Sequence, residues 1–500
     1  MLRSIICLAL PSVATQCLRV GALQFTLMVA GRTVSSTEFA AISLGMSLVN
    51  ACVVSAGMGV ASVLDTIATQ EFGRDPQSAF LGLALRRALI ATTIIAGIPL
   101  VLLTLFRREL LGIAFHSDLV EPTSTYLAFT WPGTLALVYQ SCLQKYVNAQ
   151  GIVNLPLMGN AVSIVTLLVL LPVVHALHGG VAEFALVVSA GRLAAFVSLA
   201  FLASRTQAAR RRWGTWQMRD VISPNDEGFR LFASLTGQSV MSSIFERFGF
   251  EMMSFLCASV NTRTLHVYTL VFNAWILLFS PAAGLYVAGS TLVGNAVGRR
   301  DAATAESAAV ASFGVSLVCA TVVAGCFGLW PSVVTTLYTG DVAVVEAANF
   351  VAPIVALSLF CDITSYGSQG TLRATNRVAV VTLGMFVSQW LVAVPVAVTF
   401  LFAVPYGALG ACFAASCGMS FIFLLYCVSL ARIEWSEVIS TPMPEEDRAG
   451  LSVAEDAEDV DDCNEPSEST TVDFHRAAGK TSEGDTEMAP LCFIPLGRSS

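Results

Sequence analysis

The chain reads as an all-α polytopic membrane protein: twelve transmembrane helices in two six-helix lobes, related by a pseudo-two-fold axis along the membrane normal. Three observations lead there. Of 500 residues, 55% are hydrophobic and 12% charged, about half the charge of an ordinary soluble chain, and the mean hydropathy is +0.71. That leaves too little polar surface to clothe soluble domains. Twelve apolar runs each reach the roughly 20 residues that cross a bilayer core. The two halves of the chain also match each other at a nearly constant offset.

In order, the runs are 5–30, 39–68, 80–105, 122–146, 154–176, 181–203, 231–259, 265–294, 304–330, 344–369, 378–403 and 406–430. In the first, Ser12-Val13-Ala14 resembles a signal-peptide cleavage site, but the apolar character continues to Ala30 and argues for a span. The expected organisation is an N-terminal lobe at 1–204, a basic linker at 205–228, a C-terminal lobe at 229–435 and an acidic tail at 436–500. Lys and Arg in the short connections set the orientation. With the N-terminus inside, the inner side collects sixteen, from Arg3 and Arg74 through the 205–230 loop to Arg432. The outer side collects Arg32, Arg107, Arg108 and Arg263. Both termini are therefore expected in the cytoplasm, and the bilayer is the obligatory partner.

The net charge of −8 is uneven. Residues 1–440 hold 23 Lys and Arg against 20 Asp and Glu, while residues 441–500 hold 4 against 15. The tail, acidic and rich in Ser, Thr and Pro, is expected to be disordered. No basic stripe suits nucleic acid. Eleven of the 13 cysteines fall in apolar segments, Cys463 and Cys492 lie in the tail, and no CxxC occurs, so small packing residues are expected rather than a disulfide framework.

The repeat rests on four matches in chain order. Gly73-Arg74 faces Gly298-Arg299 at an offset of 225, as do Gln144 and Ala149 facing Gln369 and Ala374. Leu171-Pro172-Val173-Val174 faces Val394-Pro395-Val396-Ala397 at 223, and Ser12 and Gln16 face Ser234 and Gln238 at 222. An even number of spans per half makes the repeats parallel. Two similar bundles that rock against each other suit alternating access, which favours a secondary transporter.

Ionisable side chains at mid-helix cost at least about 2.5–3.5 kcal/mol each and so need a partner or a function. They are Arg19, Arg192, Glu246, Arg247, Glu251 and Asp362, three of them within Phe245–Glu251 (FERFGFE). Glu246 and Glu251 are five residues apart, about 140° around a helix. Arg247 and Glu251 stand at i,i+4 and are spaced to pair. A carboxylate held out of water exchanges a proton for a cation, which marks Glu246, Glu251 and Asp362 as candidate proton and cation sites. Phe250, Tyr268, Phe272 and Trp275 offer ring faces to an organic cation, against a plain packing role. His175 and His178 lack a third metal ligand. Without a P-loop, HExxH or GxSxG, no catalytic or metal site is expected. Gly57-Met58-Gly59 suits close helix packing, and Asp65 suits a helix-end contact.

Several stretches are similar to the multidrug and toxic compound extrusion (MATE) family in its eukaryotic branch. They are Ala41–Gly73, above all its VASVLDT…Q..G pattern, Leu8-Ala9-Leu10-Pro11-Ser12, Lys145–Val153 (KYVNAQGIV), Phe245–Glu251, Val293–Gly298 (VGNAVG) and Leu372-Arg373. The resemblance implies twelve helices in two lobes and export of organic cations in exchange for H+ or Na+, with no other cofactor. It puts Glu246 at the central cation and proton position and Glu251 and Asp362 at further acidic ones. Asn50 falls at a polar position, which with Phe250, Phe272 and Asn273 makes the expected substrate pocket. There are departures. A glutamate of many animal members falls on Asn273, tyrosines appear as Phe250 and Phe272, and Arg247 replaces an aromatic. Span one carries Arg19 in place of the acids of prokaryotic members.

The expected function is a monomeric H+-coupled exporter of small organic cations or xenobiotics, in the plasma membrane or an acidic organelle. The Arg247 charge raises an alternative, export of an organic anion or zwitterionic metabolite such as citrate. A second alternative is a transport-inactive membrane receptor or scaffold acting through the acidic tail.

Overall fold

The computed structural model describes residues 1–114, 117–206, 227–338, 341–404 and 406–440, and every regular element among them is helical. The long helices are α1 (Leu2–Thr33), α2 (Thr37–Arg74), α3 (Phe80–Leu105), α4 (Ser117–Ala149), α5 (Asn154–Ala176) and α6 (Val181–Arg205). After them come α7 (Glu227–Val260), α8 (Thr262–Gly298), α9 (Ala302–Leu329), α10 (Val342–Ala374), α11 (Val378–Ala403) and α12 (Ala408–Ala431). Most of the basic linker and the tail beyond 440 lie outside the described residues, and with them the expectation of tail disorder.

Each expected span has its helix. Ten of the twelve are apolar enough to cross a membrane by composition alone. The other two, α4 and α7, are diluted by polar residues but run to 33 and 34 residues, about 50 Å at 1.5 Å per residue. Side chains fix several starts. Ser35 and Glu38 form a reciprocal cap on α2, with the Glu38 amide donating to Ser35 Oγ at 3.3 Å and the Ser35 amide to Glu38 Oε2 at 3.0 Å. Asn261 caps α8 at Thr264, and Asp301 caps α9 at Thr304. Four helices outrun their apolar runs at one end of the molecule: α2, α4, α8 and α10 continue to Arg74, Ala149, Gly298 and Ala374. Polar residues end the hydrophobic signal there, and the helices persist because the opposite lobe satisfies them.

The repeat is visible in the packing. Within the first lobe α2 meets α4, α4 meets α6, α5 meets α6 and α1 meets α5; α8–α10, α10–α12, α11–α12 and α7–α11 repeat those pairs in the second. The lobes join along one seam, where α1 lies on α8, α7 on α2, and α2 on α8. Gly73 and Gly298 explain their place in the repeat. Gly73 rests on the backbone of Asn295 and Gly298 on that of Gln70, so a Cβ on either would fall within the other helix. Gly59 likewise rests on the backbone of Ser239 and Val240 in α7, while Gly57 faces Val138 within its own lobe.

Candidate functional site

The mid-membrane charges converge on the seam from α1, α7 and α10. Glu246 on α7 is half-buried and in electrostatic reach of Arg247 and, from α10, of Arg373 and Asp362. Tyr366, one turn beyond Asp362, is in electrostatic reach of Glu246 and of Arg19 of α1. Arg19 and Arg247 lie in reach of each other across the seam. The structure thus sets Glu246 and Asp362 in electrostatic reach of each other, with Arg247 and Arg373 in reach of Glu246.

Glu251 lies apart, as its 140° offset requires. The Ser47 hydroxyl of α2 donates to Glu251 Oε1 at 2.7 Å, a bond between lobes. Among the described residues no ion pair joins Arg247 to Glu251, so the spacing alone overstated that contact. Asn50, one turn from Ser47, opens a π-helical turn at Asn50–Val54, a distortion frequent where helices carry function. Cys52 in that turn is in reach of Glu251. Asn50 and Glu251 therefore belong to one neighbourhood, Glu246 and Asp362 to another.

The aromatics wall the C-terminal lobe. Phe250 meets Phe272 at 5.4 Å and Trp275 at 4.9 Å between ring centroids, and Tyr268 stacks on Phe272 at 6.0 Å. Tyr268 and Trp275 are buried by this packing, and Phe250 and Phe272 keep partial exposure. The Asn273 amide donates to the carbonyl of Thr269 in its own helix at 2.9 Å. It is not brought to either carboxylate neighbourhood by any hydrogen bond among the described residues.

The basic end of the seam is closed by a polar lock. Asp65 Oδ2 accepts from Lys145 Nζ at 2.6 Å and from the Tyr286 hydroxyl at 2.5 Å, and the ammonium sits 4.3 Å from the Tyr286 ring centroid. Thr66 Oγ1 donates to the carbonyl of Arg373 at 2.6 Å, Gln70 Nε2 to that of Ala374 at 2.7 Å, and Thr291 Oγ1 to that of Asn148 at 3.1 Å. The Arg373 guanidinium donates to Ser239 Oγ on α7 at 2.9 Å. Of these, the bonds from Tyr286, Thr66, Gln70 and Thr291 join the two lobes and cluster at one end; Ser47–Glu251 and a 3.4 Å contact between Cys17 Sγ and Ser280 Oγ join them elsewhere.

The profile of the MatE family matches residues 11–173 and 239–399, one block in each lobe. The chain belongs to the MatE family. Human Multidrug and toxin extrusion protein 1 is 26% identical over 436 residues, 85% of this chain and 75% of its own length. Multidrug and toxin extrusion protein 2 of Oryctolagus cuniculus is 27% identical over 406 residues, 79% of this chain and 64% of its own. Among solved structures, the eukaryotic MATE transporter AtDTX14 superimposes with a TM-score of 0.81 at 16% identity, covering 90% of this chain and 98% of that one. The resemblance read from the motifs is thereby established, and the chain is a multi-pass membrane transporter of the MatE family.

Sequence reasoning missed the lock in this MatE chain. Asp65 was read as a helix-end contact, yet it is buried and joins both lobes. The signal was available: VLDT and KYVNAQG place an acid and a base at the same end of α2 and α4. Tyr286 carried no such mark.

Proposed function

We propose that the protein is a secondary antiporter that exports small organic cations from the cytoplasm in exchange for H+, with Na+ the other candidate coupling ion. The observation that carries this reading is the pair Glu246 and Asp362, two carboxylates from α7 and α10 in mutual reach beside a wall of aromatic rings. Two acids in electrostatic reach of each other hold one proton or one cation more readily than two full negative charges. Occupancy by proton and by substrate is then mutually exclusive, which is what exchange requires. Phe250 and Phe272 offer partly exposed faces to an organic cation. The basic end is assigned to the cytoplasm by the excess of Lys and Arg, with both termini there, in a plasma or acidic-organelle membrane. The lock closes that face, so the seam between Ser47–Glu251 and the lock is the route for cargo in a single chain. One unit of pH supplies about 1.4 kcal/mol per proton, and one-for-one exchange with a monovalent cation is electroneutral.

A second reading has its own observation. Arg19 and Arg247 lie in electrostatic reach of each other, without an ion pair to a carboxylate among the described residues. That arrangement suits a cargo bearing an anionic group, as an organic anion or zwitterion does. The receptor or scaffold reading rests on the tail, outside the described residues.

The test is uptake of labelled tetraethylammonium into proteoliposomes with an acidic interior, with Glu246→Gln beside wild type and labelled citrate in parallel. Uptake that collapses with a protonophore and is absent in the variant supports the cation reading. Citrate uptake without tetraethylammonium uptake overturns it in favour of the second.

A further inference from the structure

Arg192 stands near the middle of α6, in the N-terminal lobe and away from the seam residues described above. Its only hydrogen bond among the described residues runs from Nη1 to Thr134 Oγ1 of α4, at 3.3 Å. A guanidinium has five N–H donors and does not give up its proton in a protein. Arg192 is partly buried and, unlike a lysine, is not relieved by neutralisation. It needs an anion.

The lobe supplies none at that depth. Residues 1–206 contain eight acidic side chains. All but Asp65 lie in connections or within two turns of a helix end, and Asp65 already holds Lys145 and Tyr286. No ion pair to Arg192 exists among the described residues.

Hydroxyl groups are what α4 presents instead. Thr123, Tyr126, Thr130 and Thr134 recur at helical spacing on one face of α4 and are all essentially inaccessible to solvent. Tyr126 lies in electrostatic reach of Arg192 and beside Thr130. Yet the hydroxyl oxygens of Tyr126 and Thr130 are buried without a well-formed hydrogen bond. Unpaired buried hydroxyls are costly, and here they accompany a cation that lacks a counter-charge. The backbones of α4 and α6 approach closely where Gly133 rests on Ser189, one turn from Arg192, so this juxtaposition is built into a close contact between the two helices.

We infer that the N-terminal lobe binds a monovalent anion between the Arg192 guanidinium and the hydroxyls of Tyr126 and Thr130. The guanidinium provides charge and N–H donors, and the two hydroxyls turn their protons toward the same point. The anion has two possible sources, a halide from solution or the carboxylate of a cargo molecule. The site does not depend on the direction of transport or on the role of Glu246.

The test uses full-length protein in detergent at constant ionic strength, with sodium gluconate replaced stepwise by sodium chloride and, separately, by sodium acetate. No cargo is present. Wild type is expected to gain thermal stability saturably with the bound anion. Arg192→Gln should lose the dependence, and Tyr126→Phe, which leaves the charge in place, should raise the half-saturating concentration about tenfold. A chloride response assigns the site to a halide, and an acetate response without a chloride response assigns it to a carboxylate. A wild type indifferent to both, or a dependence that survives unchanged in Arg192→Gln, overturns the inference. Should Arg192→Gln fail to fold, Tyr126→Phe and Thr130→Val carry the test alone, and unchanged half-saturation in both overturns it.

Discussion

In the N-terminal lobe the ionisable side chains at mid-membrane are Arg19 and Arg192, with no acid at that depth. In the C-terminal lobe they are Glu246, Glu251 and Asp362, with Arg247. The helix pairs that build the two lobes are the same, so packing alone does not call for this difference. At the offset of 225 that relates α4 to α10, the partner of Asp362 is Leu137, a residue of an apolar cluster. A carboxylate can take up and release a proton under physiological conditions, and a guanidinium does not. Under the proposed function, proton traffic is expected in the C-terminal lobe alone, while the N-terminal lobe carries fixed positive charge at that depth. A duplicated scaffold has been given its chemistry by a few substitutions inside a conserved arrangement of helices.

The comparison breaks most severely if the titratable lobe loses its centre. Glu246→Gln is expected to bring proton-driven tetraethylammonium uptake to background, whereas Arg192→Lys, in the fixed lobe, leaves it measurable. Equal loss in both would erase the distinction. Next in size is the lock. Asp65→Asn leaves the Lys145 ammonium, with a side chain only 17% exposed, without its counter-charge, a change that costs about 3–5 kcal/mol for a buried pair. A marked fall in melting temperature is expected, largely restored in Asp65→Asn/Lys145→Met. An unchanged melting temperature in the single variant would show that the lock does not stabilise the closed end.

A smaller effect sharpens the charge balance at the seam. Arg247→Gln removes a cation beside Glu246 and should lower the KM for tetraethylammonium several-fold; a higher KM would favour anionic cargo. Smallest is a cap on the surface. Bonds from the Thr304 hydroxyl and amide hold the Asp301 carboxyl below the ordinary aspartate range. Its contribution is present above the unfolded pKa and is lost as pH falls through the depressed folded value. Asp301→Ala should cost about 0.5 kcal/mol at neutral pH, the low end for a helix cap, and almost nothing in strong acid. A loss independent of pH would deny the carboxylate its role.

Much of this was legible in the residues themselves. Apolar runs and the repeat located twelve helices, because a bilayer demands long uninterrupted apolar segments. Once the spans were placed, the cost of a charge in lipid marked Glu246, Glu251 and Asp362 as candidates. What the chain did not disclose depends on which helix faces which. Arg247 and Glu251 had the spacing of an ion pair, but Ser47, 204 residues away in sequence, holds Glu251. Tyr286 looks like any aromatic in an apolar segment until α8 is set against α2. The isolation of Arg192 emerges only when every acid around it has been located.

The bonds at the basic end carry one further consequence. Thr66, Gln70 and Thr291 donate to carbonyls in the last turns of α10 and α4, where those of Arg373 and Asn148 also accept from the Asn376 and Gly151 amides just past the helix ends. Each lobe thereby adds a donor at helix ends of the other. When the lobes part at this end, water must take over those carbonyls, and the enthalpic loss is small because bridging water is nearly as good a partner. Opening is thus a hydration reaction, with solvent among its reactants. The closed arrangement is the drier one, and raising osmotic pressure with an excluded solute shifts the molecule toward it.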